Sequence, residues 1–205
     1  MRIEPLRFPS IRRVMIRIHG DLFTIDRYVS SWDEDPELSK LEKLVLVLED
    51  RRFLRHDGFD LIASSREIGK KLMFRKHGGA STIDMQFVRT ATGYRRRKLH
   101  RKLYEMFLSV LIQFRYSKLR ILRSYLNCAY FGSGLKGAHE ACAAFGKSIW
   151  MIDDMETAKL AAMLVYPMPR KPSKNWHQKV EKRAKYGLLR LRKFEQEFEK
   201  LPRRR

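Results

Sequence analysis

Two glutamates have neighbours that suit them to chemistry, and the first is Glu49. It directly follows the apolar run 44–48, so its carboxylate is expected in a poorly solvated place. A carboxylate in such a place can act as a general acid or base. The alternative is that the stretch Glu49-Asp50-Arg51-Arg52 is a solvated helix end whose charges pair with one another. Local spacing alone favours that alternative.

The second glutamate is Glu105, which Arg101 precedes by one helical turn, with Lys102 beside that arginine. Ser109 and Gln113 continue the stripe of Glu105 along an otherwise apolar half-helix, which predicts a polar strip facing a cleft. The alternative is an exposed Arg101–Glu105 pair worth a few tenths of a kcal/mol. Both interpretations remain open from the sequence.

Basic residues and a glycine-rich turn around these glutamates could bind an anion. The basic cluster consists of Arg89, Arg95, Arg96, Arg97, Lys98, Arg101 and Lys102. Its guanidinium and ammonium groups could hold a diphosphate, although most charge runs are solvated faces. The stretch 78–82 precedes a helix and could aim N–H groups at an anion, yet it matches no P-loop or dinucleotide fingerprint.

The composition indicates a folded, strongly basic protein. The chain has 205 residues, 44% of them hydrophobic, and a net charge of 44 − 23 = +21. Such a charge suits nucleic acid, an anionic membrane or a pyrophosphate substrate. Cys128 and Cys142 match no metal-ligand spacing and are interpreted as small, partly buried thiols. No apolar run reaches 18 residues, so we expect neither a signal peptide nor a transmembrane segment in the printed chain.

The apolar patterns predict a mostly helical single domain. Weak alternation within the first forty residues predicts one or two short strands, around 14–18 and 22–25. Helices are predicted over 36–53, 61–74, from 81 onward, over 118–125, 138–145 and 155–165, and over the basic stretch 175–201, with a turn at 77–80. The clearest helix covers 94–115, with an apolar stripe at Leu99, Leu103, Met106, Val110 and Phe114.

The order of these features resembles the glycosyltransferase domain of monofunctional peptidoglycan transglycosylases and bifunctional penicillin-binding proteins, glycosyltransferase family 51. Its first block, Glu-Asp-x-x-Phe-x-x-His-x-Gly-x-Asp, is matched by Glu49, Asp50, Phe53, His56, Gly58 and Asp60. The second block is matched by the stretch 79–86 except at Asp84 and Met85. The third is Arg101, Lys102 and Glu105, and the fourth is Ile121, Leu122, Tyr125, Leu126, Asn127, Phe131 and Gly132. The fifth resembles 156–161 with Pro167.

The resemblance implies a mainly α, lysozyme-like helical single domain with a smaller membrane-proximal lobe. A lead-in segment would cover 1–37, the catalytic domain 38–172 and a basic amphipathic segment 173–205. The implied reaction polymerises a lipid-linked disaccharide into glycan strands, with inversion and release of polyprenyl pyrophosphate. Glu49 would be the catalytic base, and Glu105 would steady the leaving pyrophosphate. The implied substrate-binding residues are Asp50, Phe53, His56, Ser81, Thr82, Gln86, Arg89, Arg101 and Lys102.

The resemblance also implies the cofactors, the partners and the cellular location of the enzyme. No cofactor is required, although a divalent metal ion, Mg or Mn, could join the donor pyrophosphate. The expected partners are the lipid-linked substrate, the growing glycan strand and the membrane surface, with other cell-wall synthesis proteins as further candidates and nucleic acid not expected. The expected location is the outer, periplasmic face of the bacterial cytoplasmic membrane.

Three other functions remain as alternatives. The charge would suit a nucleic-acid-binding protein, and the fold would suit a glycan-cleaving enzyme in which Glu49 is the general acid. Asp84 and Met85, which depart from the second block, would suit an inactive relative, because Met85 cannot donate the hydrogen bonds of glutamine.

The last segment, with Leu188, Leu189, Leu191, Phe194 and Phe198, would either lie on a membrane or cap the domain. We favour the cap.

Overall fold

The computed structural model describes residues 10–29, 37–62, 65, 81–94 and 99–200, with the side chains of 194 and 196–200 excepted. This described part is mainly helical, as predicted. Its helices are α1 Ile11–Asp26, α2 Lys40–Glu49, α3 Ile83–Thr92, α4 Leu99–Gln113, α5 Lys118–Cys128, α6 Ala138–Ala143, α7 Asp154–Met163 and α8 Lys174–Lys200, with a 3-10 turn at Phe53–Arg55. Strands β1 Tyr130–Gly132 and β2 Leu135–Lys136 pair antiparallel.

Some predicted features lie outside the described residues. These are the turn 77–80, most of the helix predicted over 61–74, the basic residues 95–98 and the side chains of Phe194 and Phe198. The boundaries predicted at 37/38 and 172/173 stay predictions. No helix of the described residues combines the length and the apolar character that crossing a membrane requires.

Helix α2 carries Glu49 at its last position and begins at a strong cap. The Ser39 hydroxyl accepts from the Glu42 N–H, and the Glu42 carboxylate accepts from the Ser39 N–H, so two amino-terminal N–H groups are satisfied. Leu44 and Val45 are fully buried where α2 packs against α7 and α8. The helix is therefore shorter than the predicted 36–53, because the cap sets its start and Asp50, with φ of −152°, leaves helical geometry.

Helix α1 replaces the strands predicted near the start of the chain, so that prediction is wrong. Ile18, Leu22 and Ile25 recur at steps of four and three and pack inward against α3 and α4. Asp21 fixes the contact, since its carboxylate accepts hydrogen bonds from the hydroxyls of Tyr94 and Tyr104 at 2.9 and 2.7 Å. The short alternating stretches 14–18 and 22–25 are thus parts of one helix, and their apolar residues also fit a helical period.

Helix α4 confirms that a helix lies within the stretch 94–115. Its buried residues are Glu105, Leu108, Ser109 and Ile112. Of the predicted apolar stripe, Leu99, Leu103 and Phe114 are exposed at 76%, 57% and 82%, while Met106 and Val110 are half-buried. Periodicity reveals that a helix has two faces, but here the face that carries Glu105 is the one that packs on α3.

The last helix, α8, caps the domain, as favoured from the sequence. It packs along α7 and α2, and Val180, Ala184 and Leu191 are buried in that contact. Leu189 lies on its outer side and is 62% exposed. The amphipathic pattern of this basic segment is therefore explained by packing against the domain.

The two cysteines are buried free thiols, as predicted. Burial raises the pKa of Cys128 to about 12 and that of Cys142 to about 11. Thiols with such pKa values are protonated at neutral pH and poorly reactive.

Candidate active site

Glu49 lies in a built site, and the interpretation of a solvated helix end is wrong. Its side chain is only 11% exposed, and its Oε1 accepts a hydrogen bond of 2.8 Å from Arg183 of α8. The same guanidinium nitrogen donates to the Leu48 carbonyl at 3.0 Å. Arg52 pairs with Asp60 at 2.9 Å instead of with its neighbours. Glu49 is thus bound by a partner far away in the chain, and Arg52 by a residue of the following loop.

The loop after Glu49 is held by Asp50. Its Oδ2 accepts from His56 Nε2 at 3.0 Å and from the Ile83 N–H at 3.1 Å, which joins the loop to the start of α3. Asp50 and His56 are buried, and the ring of Phe53, which is 1% exposed, meets the imidazole edge-on. These three side chains bond to one another, so we infer that they fix the loop. Their predicted contact with substrate stays a prediction.

Thr82 and Gly58 hold the same loop against two helices. The Thr82 hydroxyl caps α3 by accepting from the Met85 N–H and donates to the Gly58 carbonyl at 2.7 Å. Gly58 has φ of +90°, and a Cβ there would approach the Ser109 carbonyl oxygen of α4 to 2.5 Å. Glycine is therefore required for both the conformation and the close approach.

Glu105 lies buried in an arginine cluster, so the interpretation of an exposed pair is wrong. The carboxylate is 1% exposed, with Arg101 NH1 at 3.1 Å and Arg89 Nε at 3.6 Å from its Oε1. Burial raises the pKa of Glu105, while the charges of Arg89, Arg101 and Lys102 oppose that rise. Arg89 also donates to the Ser81 hydroxyl at 3.3 Å. Three predicted site residues, Arg89, Arg101 and Lys102, therefore act on Glu105 by contact or by charge, and Ser81 joins them through Arg89.

Two guanidinium N–H groups of this cluster make no hydrogen bond among the described residues, and one of them, Arg89 Nε, faces Glu105 Oε1 at 3.6 Å. Within the part of the chain described here, Arg89 Nε, Arg101 Nε and Glu105 Oε1 are buried and lack a hydrogen-bond partner. Buried N–H groups of arginine seldom go without an acceptor. The pair of guanidinium groups therefore suits an incoming phosphate oxygen.

Tyr125 connects the two glutamate regions, although the sequence did not single it out as a site residue. Its hydroxyl donates to Gln86 Oε1 at 2.6 Å. Burial raises its pKa, the negative charge of Glu49 adds to that rise, and the positive charge of Arg89 opposes it. The phenol is therefore within electrostatic reach of both Glu49 and Arg89.

Asp84, one of the two departures from the second block, belongs to a buried charge cluster. It accepts from Lys118 Nζ at 3.1 Å and from the Gln113 amide. Burial raises the pKa of Asp84 to about 6, and the charges of Lys118 and His56 oppose that rise. Of the predicted polar strip, Ser109 is fully buried and bonds to the Glu105 carbonyl, whereas Gln113 bonds to Asp84 of α3 and lines a cavity beside Lys118.

The other departure, Met85, is 1% exposed. Its effect on donor binding stays a prediction.

A metal ion is one ligand that the acidic residues could take. Oxygen or nitrogen atoms of Asp50, His56 and Asp84 lie within 4.8 Å of one another. Lys118 already supplies Asp84 with the positive charge that a cation would bring, so this cluster is electrostatically compensated. At Glu105, a single carboxylate could hold Mg²⁺ only together with substrate phosphates, which is a usual arrangement for that ion.

Arg183 and Lys118 are further residues that sequence reasoning missed. Arg183 lies 134 residues from its partner Glu49, and Lys118 lies 34 residues from Asp84. Each stands in a basic stretch where many lysines and arginines look alike, so no local signal distinguished them.

Comparisons with known proteins point to one family. The family model described as "Transglycosylase" matches residues 24–192 of the chain. The biosynthetic peptidoglycan transglycosylase of Xanthomonas euvesicatoria pv. vesicatoria is 34% identical over 162 residues, covering 72% of this chain and 64% of the relative. That of Shewanella oneidensis is 34% identical over 148 residues, covering 72% of this chain and 60% of the relative. Penicillin-binding protein 1A of Aquifex aeolicus is 34% identical over 160 residues, which cover 77% of this chain and 21% of the relative.

Proposed function

Because the chain belongs to the transglycosylase family, we propose that it is a peptidoglycan glycosyltransferase. It polymerises a lipid-linked disaccharide by transferring the growing strand to a sugar hydroxyl, with inversion and release of polyprenyl pyrophosphate. Two of its similar relatives carry the name biosynthetic peptidoglycan transglycosylase. The match covers 64% and 60% of their lengths, so the activity of this chain is an inference of ours.

The observation that carries the proposal is the largely buried carboxylate of Glu49, held by Arg183 at 2.8 Å. In the proposed reaction Glu49 takes the proton from the acceptor hydroxyl as that oxygen attacks the anomeric carbon. Arg183 offers a cation to the ionised carboxylate, which is the form that accepts a proton. It also fixes the direction of the carboxylate, because it bonds to the Leu48 carbonyl at the same time.

The leaving group is bound at the arginine cluster around Glu105. Arg89, Arg101 and Lys102 bring three positive charges to one buried carboxylate, so the cluster retains a net positive charge for a diphosphate. Positive charge at the leaving oxygen stabilises the transition state as the sugar–phosphate bond breaks. A divalent metal, if used, would add positive charge to the same phosphates, with Glu105 as its protein ligand.

A membrane-binding face on α1 and α4 is the second part of the proposal. Residues exposed along α1 include Ile11, Ile16 and Phe23 at 84%, 62% and 66%, with exposed arginines between them. Leu99, Leu103 and Phe114 extend this apolar surface on α4. Apolar side chains interleaved with arginines suit the interface of an anionic bilayer. The enzyme would work there, at the outer face of the cytoplasmic membrane, on lipid-linked substrate.

The direct test is polymerisation of a labelled lipid-linked disaccharide by the purified chain. We expect glycan strands together with one polyprenyl pyrophosphate released per disaccharide added. Shortening of preformed peptidoglycan without polymer would assign the chain to glycan cleavage instead. Salt-sensitive DNA binding without binding of the lipid-linked disaccharide would assign it to nucleic acid.

The membrane face is tested by vesicle sedimentation with anionic lipid. Ile16→Ser and Leu103→Ser should each weaken binding about tenfold, since burying such a side chain is worth about 1.5–3 kcal/mol. Leu189→Ser on α8 is the matched control, because Leu189 is equally exposed at 62% but lies on the capping helix. Equal loss in all three variants, or loss in Leu189→Ser alone, would contradict this placement of the membrane face.

A further inference from the structure

A buried ion pair between Asp84 and Lys118 lies next to the loop that follows Glu49. Asp84 is fully buried, and the Lys118 side chain is only 11% exposed. Lys118 Nζ lies 3.1 and 3.3 Å from the two carboxylate oxygens, and the Gln113 amide donates to one of them. A carboxylate and an ammonium group so placed depend on each other, since either one alone would be a buried, uncompensated charge.

The pair is joined to the loop through Phe53 and His56. Lys118 Nζ lies 4.4 Å from the centre of the Phe53 ring, a cation–π contact. His56 Nδ1 lies 3.8 Å from Asp84 Oδ2, and its other nitrogen, Nε2, bonds to Asp50 at 3.0 Å. The imidazole therefore stands between two carboxylates, with Asp84 on the side of Nδ1.

Asp50 transmits this arrangement to the catalytic glutamate. It immediately follows Glu49 and ends α2, where its N–H donates to the Leu46 carbonyl at 3.0 Å. Its carbonyl accepts from the Phe53 N–H at 3.1 Å. A shift of Asp50 would therefore move the carboxyl end of α2, on which Glu49 lies.

We propose that Asp84 and Lys118 are positioning residues for Glu49, which they hold in place through Phe53, His56 and Asp50. This inference rests on the proposed function. Asp84 stands where the resembled family has threonine or serine, and its partner Lys118 compensates the charge that the substitution introduces. Asp84 is thus a working part of the site, and the departure from the family pattern is not a sign of lost activity.

The test is a double-mutant cycle with Asp84→Asn, Lys118→Met and the double variant. Each single variant should lower kcat for the lipid-linked disaccharide about 10- to 100-fold, the range that small displacements cost. KM should stay within about twofold, because substrate contacts remain. The double variant, which leaves no unpaired buried charge, should be no slower than the slower single variant.

The matched control is the ion pair between Glu42 of α2 and Arg123 of α5. Glu42 lies near the start of α2, at the opposite end of that helix from Glu49. The charged atoms of the pair lie 2.8 Å apart, and both side chains are largely buried. The variant that combines Glu42→Gln and Arg123→Met should be less stable to heat, yet its kcat at a temperature where it is folded should equal that of the wild type. A purely structural role for Asp84 would produce that same pattern in Asp84→Asn.

Amide hydrogen exchange gives a readout that does not depend on activity. Exchange at Asp50 and Phe53 should be faster in Asp84→Asn and Lys118→Met but unchanged in the Glu42–Arg123 control.

If the wild type does not polymerise the substrate, the proposed function fails, and the exchange result still decides the positioning role. Unchanged exchange at Asp50 and Phe53, or kcat losses that multiply in the double variant, would overturn the inference. If the single variants do not fold, the folded double variant decides the positioning role. Reduced kcat with faster amide exchange in the double variant would support that role, and wild-type kcat and exchange would overturn it.

Discussion

Glu49, which is largely buried, and Glu105, which is fully buried, both contact arginine, but the chain holds them in different ways. The partner of Glu49 is Arg183, which comes from the capping helix 134 residues away. The nearest partner of Glu105 is Arg101, one turn earlier on the same helix. In the proposed mechanism, the carboxylate that must change protonation is held by a distant arginine, whereas the one that supports the leaving group is held by Arg101 of its own helix together with Arg89 of α3. The difference predicts which changes should affect each region.

The largest effect outside the glutamates is expected from Arg101→Gln. This change removes a donor from the leaving pyrophosphate, and loss of one such electrostatic stabiliser costs about 10²–10³ in kcat. Steady-state polymerisation rates measure it, with the exposed neighbour His100→Gln as control. A loss in Arg101→Gln no greater than in His100→Gln would remove the pyrophosphate role from this cluster.

Asp84 is a third carboxylate that can be compared with Glu49 and Glu105. Its effect is measured as the dependence of the free energy of unfolding on pH. Burial raises its pKa from 3.8 to about 6, so the folded protein binds this proton more tightly than the unfolded chain does. Its contribution to stability is therefore present below about pH 4 and is lost as pH rises through about 6, by up to about 3 kcal/mol. Urea unfolding at several pH values should show this slope in the wild type relative to Asp84→Asn. Parallel curves for the two proteins would contradict the pKa.

Arg183→Gln tests the long-range half of the comparison. It removes the cation from Glu49 while leaving the Glu105 cluster intact, and we expect about a tenfold loss of kcat, close to the worth of one charge-assisted hydrogen bond. Lys182→Gln, an exposed neighbour on α8, should retain the wild-type rate. If both variants were fully active, the capping helix would have no part in the chemistry.

The smallest effect is expected at the far end of α2. Ser39→Ala removes the amino-terminal cap and should lower the free energy of unfolding by about 1 kcal/mol. Polymerisation below the melting temperature should be unchanged, because the cap lies at the opposite end of the helix from Glu49. Thermal and urea unfolding measure the loss. A fall in kcat without a fall in stability would mean that the start of α2 also positions the site.

Contacts between residues close in the chain could be predicted from the sequence, whereas contacts between distant residues could not. The contact of Arg101 with Glu105 was found because residues four apart meet on a helix. The helical nature of α4 was also found, but not its buried face, since periodicity does not tell which face packs inward. Arg183 and Lys118 could not be distinguished, because their partners lie far away in the chain. The strands predicted within α1 failed because a short alternating stretch fits both periods.

Glu49 is the base without which the proposed polymerisation cannot proceed. The decisive measurement is the polymer formed from lipid-linked disaccharide by Glu49→Gln, with circular dichroism to show that the variant is folded. Because general base catalysis contributes about 10²–10⁴ in rate, we expect polymer to fall by that factor or to disappear. A folded Glu49→Gln variant that polymerises at the wild-type rate would contradict the account.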